Sequence, residues 1–400
     1  MLRSLFSGIS GLRAHQQMMD ITGNNIANVN TAGFKSSQAI FQDTLSQMVK
    51  SASAPQSNNG GTNPAQIGLG VQLGAITTNF AQGSAQVTGR TTDLMINGDG
   101  FFMVNKVGER LYTRSGAFSF DTEGRLVNPQ GMVAQGWMAE DGVLDTNAPA
   151  DGISLPMGTL FPPTETTKAT FGGNLPADTT STTPVQSSIT VYDEQGNAKT
   201  LSTTYTKVNP TQWTVSISDG TTTVGPTTLN FAADGSTPAP VSVDFDYVTG
   251  GVTHTIEVDL SGVTSFAGQT TLAPLTQNGS SMGSLQAFTI SQDGLLIGVF
   301  SNGLKKTLAQ LALASFNNPP GLEKVGESMY RNTVNSGEPA LGIAGEAGRG
   351  LLQGGSLEMS NVDLGQEFTN LIIAQRGFQA NSKIISASDE LLQDLVNLKR

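Results

Sequence analysis

Few side chains in this 400-residue sequence combine in a pattern that could perform chemistry. Neither of the two histidines, His15 and His254, has a second histidine or a carboxylate pair at the spacing of a metal site. His254 stands on the apolar side of an alternating segment, where a hydrogen-bonded core histidine is expected. His15 is expected on the polar flank of an N-terminal helix. Cysteine is absent, which excludes disulfides, thiolate metal sites and cysteine nucleophiles.

One polar cluster and two glycine-rich segments resemble ligand loops only superficially. Asp93, Asn97 and Asp99 miss the spacing of a calcium loop, and the glycines among them account for the segment as turns. The glycine-rich pieces at 68–70 and 345–350 lack the strand–turn–helix context of a phosphate-binding loop. We therefore predict a protein that is not an enzyme, with no catalytic, cofactor or metal site.

Composition excludes two classes of partner. The net charge is -11, and no run of Lys or Arg offsets it, so we expect no binding to nucleic acid. No stretch approaches the roughly 20 apolar residues of a membrane span, and the N-terminus lacks the apolar core of a cleavable signal peptide. Charged residues make up only 13% of the chain and glycines number 47, which favours turn-rich β structure.

The elements at the two ends of the chain share a seven-residue apolar repeat. Such a repeat is the seam of a helix that packs along another helix. We predict N- and C-terminal α-helices paired as a coiled coil, formed by residues 1–35 and 358–400. The alternative is two amphipathic helices that pack once within a globular domain. The residues of the repeat are Leu5, Leu12, Met19, Ile26, Leu364, Leu371, Phe378, Ile385 and Leu392.

Between the ends the sequence is typical of short strands separated by turns. Alternation is clearest in the middle, where Trp213, Val215 and Ile217 alternate with polar residues. We predict a multidomain, mainly β protein with nested discontinuous antiparallel β domains. A linker at 36–70 precedes a first β domain (71–144 and 285–357), into which an outer β domain (145–284) is inserted.

Several segments resemble the signatures of the bacterial flagellar rod and hook axial proteins. Gly23–Lys35 is similar to the N-terminal signature of that family, and Leu357–Leu364 and Ile373–Lys383 are similar to its C-terminal end. Gly98–Phe102 and Tyr112–Phe118 resemble its first β domain. Matches at both ends and in the middle are more specific than one motif.

The resemblance favours one branch of this family. The segment Ser188–Ala198 resembles the insert of the hook members, whereas rod members are generally shorter. The distal rod protein of the basal body is the alternative within the family. A β-rich surface fibre or adhesin is the alternative from another class.

The resemblance implies a structural subunit that self-assembles into a curved, flexible tube, a universal joint that transmits torque from rod to filament. It implies export by the flagellar type III apparatus without a cleaved signal, and a location outside the cell in the flagellum. Implied partners are copies of the same chain, the distal rod protein, the hook–filament junction protein, the hook cap and the export apparatus. The family-motif residues, implied to act in folding and subunit contact, are Asn24, Asn25, Asn28, Gly33, Phe34, Asn361, Val362, Gln375 and Arg376.

Overall fold

A computed structural model describes residues 2–55, 60–106, 108–140, 142–155, 160–178, 183–249 and 252–397. The protein is multidomain and mainly β, with one helix at each end. Parts of the predicted terminal domain and linker, residues 1, 56–59 and 398–400, lie outside the described residues. Within those residues, no helix combines the length and hydrophobicity needed to cross a membrane.

The chain divides into two compact units. Unit 1 comprises Met1–Leu155, Thr289–Ile297 and Lys306–Arg400, and unit 2 comprises Pro156–Phe288 and Gly298–Lys305. Among the described residues, the first elements are the N-terminal helix and thirteen strands. They are α1 (Leu2–Ala27), β1 (Ser37–Asp43), β2 (Ser46–Lys50), β3 (Ala65–Gly68), β4 (Val71–Thr78), β5 (Ala85–Val87), β6 (Leu94–Asn97), β7 (Phe101–Lys106), β8 (Glu109–Thr113), β9 (Ser119–Phe120), β10 (Leu126–Val127), β11 (Val133–Glu140), β12 (Val143–Leu144) and β13 (Asp151–Gly152).

Within the described ranges, the middle of the chain contains eleven further strands, and the last part contains eight strands and the C-terminal helix. The middle strands are β14 (Leu160–Phe161), β15 (Lys168–Asn174), β16 (Val185–Tyr192), β17 (Ala198–Asn209), β18 (Gln212–Ser218), β19 (Thr223–Phe231), β20 (Pro238–Ala239), β21 (Ser242–Thr249), β22 (Val252–Thr264), β23 (Ala273–Gln277) and β24 (Gly283–Ile290). The last elements are β25 (Leu295–Phe300), β26 (Lys305–Leu311), β27 (Leu313–Ser315), β28 (Glu323–Gly326), β29 (Met329–Arg331), β30 (Ala340–Gly342), β31 (Leu351–Gly354), β32 (Ser356–Glu358) and α2 (Leu364–Asn397), with a 3-10 turn at Pro319–Gly321.

An antiparallel sheet and an aromatic core form the centre of unit 1. Five of its strands lie in the order β11-β7-β8-β29-β28. Phe316 packs edge-on against Tyr112 and Phe101, with ring centroids 4.8 and 5.7 Å apart. At its border, β31 pairs with β6 and β32 pairs with β5. These two pairings bring the chain just before α2 beside the segment at 85–97.

The segment at 36–70, for which the sequence predicts a linker, contains three strands. β1 pairs with β4, and β2 pairs with β3, so residues 37–50 and 65–78 form a two-stranded ribbon. Half-buried and exposed residues alternate along most of β1, as in a strand with one covered side. The Ser- and Gly-rich composition that suggested a linker is concentrated in the sequence between β2 and β3.

Unit 2 has a core of its own between two sheets. One sheet has the order β21-β22-β15-β23 and the other β16-β17-β18-β19-β20. Trp213, Val215 and Ile217 on β18 are at most 1% exposed, and their polar neighbours are half-buried, so the predicted alternation matches the burial. One pair differs from the predicted antiparallel arrangement, because β15 and β22 are parallel. The six strands between them provide the long crossover that a parallel pair requires.

Candidate functional site, a buried junction between the two chain ends

A buried ion pair joins the segment after α1 to the strand before α2. Lys35 Nζ lies 2.6 Å from Glu358 Oε1, and neither side chain is exposed. Arg114, which follows β8, places Nη1 3.5 Å from Glu358 Oε2, and its side chain is 2% exposed. Three residues that are distant in the sequence therefore meet in one desolvated cluster. We call Lys35, Arg114 and Glu358 the junction triad.

Backbone groups supply further hydrogen bonds to the junction triad. The lysine ammonium donates to the Ala81 carbonyl at 2.8 Å, and the carboxylate accepts from the Gly83 amide at 3.0 Å. The guanidinium donates to the Gly98 carbonyl at 2.8 Å. Fixed backbone dipoles thus replace water around these charges, which limits the free-energy cost of their burial.

Burial and charge act in opposite directions on the pKa values of the triad. Burial lowers the pKa of Lys35, while the hydrogen bond and the charge of Glu358 raise it. Burial also lowers the pKa of Arg114, against the raising effects of Glu358 and Asp99. Asp99 lies 3.9 Å from Arg114 Nη2 but is 92% exposed, so solvent screens its attraction. One buried carboxylate is therefore the main stabiliser of charge on two buried cations.

Gly33 of the N-terminal motif packs against the same cluster. Its amide donates to the Glu358 carbonyl at 2.7 Å. Its φ of +70° lies in the left-handed region, and a Cβ at this position would be 2.5 Å from the Ser115 backbone nitrogen. Only glycine satisfies both the backbone conformation and the available space.

Phe34, the next motif residue, contacts a cation from β28. Lys324 Nζ lies 5.2 Å from the centroid of the Phe34 ring. The same ammonium donates to the Lys35 carbonyl at 3.1 Å and to Ser37 Oγ at 2.8 Å. Burial lowers the pKa of Lys324. The sheet of unit 1 is thereby connected to the segment that follows α1.

Asn361 holds two chain segments through its side-chain amide. Its Oδ1 accepts from the Ser36 amide at 2.8 Å. Its Nδ2 donates to the carbonyls of Asn79 and Ala81, at 2.8 and 3.0 Å. The segment before α2 is thus fixed to both chain segments at one end of the ribbon, where Ser37 pairs with Thr78.

Asn25 makes the corresponding contacts from α1. Its Oδ1 accepts from the Ser37 amide at 3.0 Å, and its Nδ2 donates to the Ser37 carbonyl at 2.8 Å. The same Nδ2 lies 3.1 Å from Glu367 Oε1 on α2. Asn25 is 1% exposed, so these bonds satisfy a buried amide.

The remaining motif residues lie outside the junction. Asn28 Nδ2 donates to the Asn24 carbonyl at 2.9 Å, which satisfies a backbone group where α1 ends. Val362 is half-buried, and Gln375 and Arg376 are exposed on α2. The role of all nine motif residues in subunit contact stays a prediction.

Small and polar residues form close contacts between α1 and α2. A Cβ added to Gly11 would lie 2.7 Å from Asn381 Nδ2, and one added to Gly377 would meet the imidazole of His15. Ala374 on α2 is fully buried. These positions let the two helices approach closely because they carry little or no side chain.

The apolar heptad residues flank these contacts. They are half-buried on α1, and on α2 they range from half-buried to exposed. Leu364, Phe378 and Leu392 are 40%, 36% and 36% exposed. Much of the apolar stripe on α2 is therefore open to solvent. The role of the nine heptad residues in assembly stays a prediction. They are Leu5, Leu12, Met19, Ile26, Leu364, Leu371, Phe378, Ile385 and Leu392.

Sequence reasoning missed the junction triad. Lys35, Arg114 and Glu358 stand in or beside the motif segments, but no local spacing connects them, because Lys35 and Glu358 are 323 positions apart. A weak signal was available, since charged residues are scarce and these three adjoin apolar strands. The charged groups face one another, so the arrangement is suited to holding chain segments together rather than to reacting with a substrate.

Replacing Glu358 should destabilise unit 1 strongly. The Glu358→Gln substitution keeps the shape but leaves two buried cations without their carboxylate, and we expect a loss of about 3–5 kcal/mol in the free energy of unfolding. Urea denaturation of the full chain measures this. The control is Glu123→Gln, which removes an exposed partner of Arg125 at 3.2 Å and should cost less than about 1 kcal/mol. Equal effects of the two substitutions would contradict the prediction.

Gly33 provides a second test of the junction. Gly89 has a similar φ of +73°, but no described atom lies within 4 Å of an added Cβ there. Both Gly→Ala substitutions incur the left-handed backbone cost of roughly 1–2 kcal/mol. Gly33→Ala should lose about 1–3 kcal/mol more, because the new methyl meets backbone that must move. Thermal unfolding measures the difference, and equal losses would show that space around Gly33 is not limiting.

Four segments of the chain match families of flagellar rod and hook proteins, the family that the sequence motifs resemble. Residues 5–35 match the "Flagella basal body rod protein" family, and residues 353–398 match "Flagellar basal body rod FlgEFG protein C-terminal". Residues 95–204 match "Flagellar hook protein FlgE/F/G D1 domain", and residues 158–280 match "Flagellar basal body protein FlaE D2 domain".

Individual relatives cover nearly all of the sequence. The flagellar hook protein FlgE of Borreliella burgdorferi is 38% identical, with both chains fully covered. FlgE of Salmonella typhimurium is 33% identical over 99% of this chain and all of its own. The flagellar basal-body rod protein FlgG of Bacillus subtilis is 34% identical, with both fully covered. The fold is similar to a crystal structure of Helicobacter pylori FlgE2, with a TM-score of 0.55 at 15% identity, over 68% of this chain and all of that one. The full-length match to FlgE proteins and the four matched families together show that the chain belongs to the flagellar hook protein family.

Proposed function

We propose that the chain is the structural subunit of the flagellar hook, a curved and flexible tube that transmits torque from rod to filament. The observation that carries this function is the end-to-end similarity to proteins named flagellar hook protein, including the D2 domain at 158–280. The junction triad serves a mechanical role in this proposal, because it connects the terminal helices to the β sheet of unit 1. Family membership leaves the surface-fibre or adhesin interpretation without support.

The proposed architecture is a nested one with paired terminal helices. The division of the chain supports nesting, because unit 1 is built from three separate segments and unit 2 from two. The compact units divide at 155 and 156 and at 288 and 289, whereas the sequence texture suggested 144 and 284, and the predicted domain boundaries stay a proposal. The contact of Gly11 with Asn381 and that of His15 with Gly377 support pairing of α1 with α2. We propose that this pair becomes a coiled-coil layer inside the tube.

Exposed apolar surface on unit 1 supports assembly with copies of the same chain. On α2, Phe368, Ile372 and Ile373 are 50%, 56% and 54% exposed, and Leu391 is 55% exposed. A soluble helix normally turns such residues towards a partner. A subunit that repeats along a helical polymer supplies that partner without any second kind of chain.

The two-stranded ribbon also lacks sufficient cover within its own unit. Leu45, Met48 and Val49 are 81%, 57% and 63% exposed. An isolated two-stranded ribbon is marginally stable in water. In the proposed tube, neighbouring subunits cover this ribbon and complete its packing.

The further partners of the tube follow from the proposed position in the flagellum. They are the distal rod protein at one end, the hook–filament junction protein at the other, and the hook cap during growth. We also propose export through the flagellar type III apparatus to a location outside the cell in the flagellum.

The distal rod protein is the second candidate function, and one observation favours it. The Bacillus subtilis relative named basal-body rod protein FlgG matches this chain along its full length. The presence of unit 2 therefore does not by itself separate hook from rod proteins. The larger set of high-identity FlgE relatives favours the hook.

The exposed face of α2 can be tested by one substitution. Ile372→Glu introduces a charge on a side chain that is 56% exposed, so the monomer should keep its circular dichroism spectrum and melting temperature. The tube should fail to form, because burying an unpaired charge between subunits is costly. Val334→Glu is the matched control at a fully exposed position of the same unit. Electron microscopy of tubes measures the result, and normal tubes from Ile372→Glu would contradict the proposal.

Deletion of the gene in its host separates the two candidate functions. We expect electron microscopy to show basal bodies with complete rods and no hooks. Basal bodies in which the distal rod is missing would instead support the rod function. Complementation with the intact gene should restore hooks and motility.

A further inference from the structure

Three potential metal-binding side chains from separate segments meet in unit 2. Glu165 precedes β15, Glu194 lies in the turn between β16 and β17, and His254 lies on β22. One ligand atom from each lies within 4.8 Å of the other two. Two carboxylates and one imidazole are a mixed oxygen and nitrogen donor set, which differs from a surface cluster of acids alone.

The imidazole at this place is held in a defined orientation. His254 is 8% exposed, and its Nδ1 lies 2.7 Å from Glu165 Oε1. The Tyr247 ring stacks on the imidazole with centroids 5.3 Å apart and an interplanar angle of 24°. Tyr247 Oη lies 3.4 Å from the same carboxylate oxygen. A ligand nitrogen that is already oriented loses little conformational entropy when it binds an ion.

Backbone hydrogen bonds fix the segment of Glu165 to the end of β16. The Thr166 amide donates to the Tyr192 carbonyl at 2.9 Å, and the Tyr192 amide donates to Thr166 Oγ1 at 2.8 Å. These reciprocal bonds hold the chain on either side of the cluster in one register. The backbone next to Glu165 is therefore fixed relative to the end of β16, two residues before Glu194.

The turn that carries Glu194 is shaped by its neighbour. Asp193 Oδ1 accepts from the amides of Gln195 and Asn197, at 3.0 and 2.8 Å. Asp193 is 4% exposed and is occupied by these bonds, whereas Glu194 is exposed and lies within reach of the imidazole. The Asp193 carboxylate is thus engaged in hydrogen bonds that shape the turn, and the Glu194 carboxylate is left available to bind a metal ion.

The electrostatic surroundings favour a cation. Asp193 stands next to Glu194 in the sequence, so its carboxylate adds a third negative charge to those of Glu165 and Glu194. Lys199 Nζ lies over the Tyr247 ring at 4.6 Å from its centroid, so one protein cation is already attracted to this region. The three carboxylates still exceed the positive charge of one lysine.

We propose that Glu165, Glu194 and His254 bind a divalent transition metal of the zinc class, with water in the fourth position. Zinc binds imidazole nitrogen and carboxylate oxygen at about 2.0–2.2 Å, which places tetrahedral ligand atoms roughly 3.3 Å apart. Small side-chain rotations bring the three atoms from within 4.8 Å to that separation. Metal binding replaces the direct contact of 2.7 Å between His254 Nδ1 and Glu165 Oε1. An imidazole ligand disfavours magnesium and calcium, which prefer all-oxygen sites.

The site is separate from the terminal helices and concerns unit 2 alone. A bound metal connects β22 with the β16–β17 turn and the segment before β15. It therefore stabilises unit 2 against unfolding by binding the folded state. The sequence did not indicate the site, because its three ligands are distant along the chain and follow no short spacing.

Titration of the full-length chain with zinc chloride tests the proposal. We expect one site per chain by calorimetry, and a higher melting temperature for unit 2 in the presence of zinc. Glu194→Gln changes an exposed turn residue, so the fold should persist while zinc affinity falls at least about tenfold. Asp244→Asn removes an exposed carboxylate from β21 of the same unit and is the matched control, with affinity expected to stay within about twofold. Magnesium chloride should give no corresponding site.

The two histidines of the chain make the location easy to assign. With ¹⁵N-labelled histidine, zinc should shift the imidazole signals of His254 and leave those of His15 unchanged. The proposal is overturned if zinc does not bind, if Glu194→Gln binds as tightly as the unsubstituted chain, or if Asp244→Asn weakens binding equally. Shifts confined to His15 would overturn it as well.

Discussion

Lys35 and Glu358 are 323 positions apart, yet their side chains meet without exposure to solvent. Bringing such distant segments together costs loop-closure entropy, and burying the charges costs hydration free energy. The ion pair, Arg114 and the surrounding backbone bonds offset these costs only when all of them are in place. A junction of this kind specifies one arrangement of the two chain ends, because a misplaced segment leaves a charge buried without a partner. As a result, the end of α1 and the start of α2 lie beside each other next to the sheet of unit 1.

Local periodicity in the sequence predicted the alternating burial of β18 in unit 2, for a physical reason. A strand between solvent and a core must alternate, and Trp213, Val215 and Ile217 show that alternation in the order of residues itself. The same reasoning identified the terminal helices from their apolar repeats. It did not identify the contact of Gly11 with Asn381, because a glycine in a helix suggests weakness until its neighbour is known.

Sites built from distant residues were beyond sequence reasoning altogether. The junction triad and the cluster of Glu165, Glu194 and His254 each combine segments that only the folded sheet brings together. Among the family-motif residues, Gly33 and Asn361 contact segments around the junction triad, whereas Lys35 beside Gly33 and Phe34 was not selected, and the predicted role of the motif residues stays a prediction. The chemistry of a charged residue depends on its partner, and the partner is a property of the fold.

The two units differ in how completely they bury their own apolar residues. Unit 2 encloses a full aromatic and aliphatic core between its sheets, while unit 1 leaves much of α2 and the ribbon open to solvent. This difference suits a subunit in which the core of unit 2 is fully packed in the monomer, while unit 1 completes its packing against neighbouring subunits.

The fully buried position of the ion pair has a consequence for the medium in which the protein works. Dissolved salt weakens attraction between charges that face water, over a Debye length of about 8 Å at physiological ionic strength. Mobile ions have no access to Lys35 and Glu358, whereas an exposed pair such as Arg331 and Glu109, 2.6 Å apart, is open to them. The connection between the chain ends should therefore hold equally well in dilute and in saline surroundings, while the surface charges of the same protein respond to both.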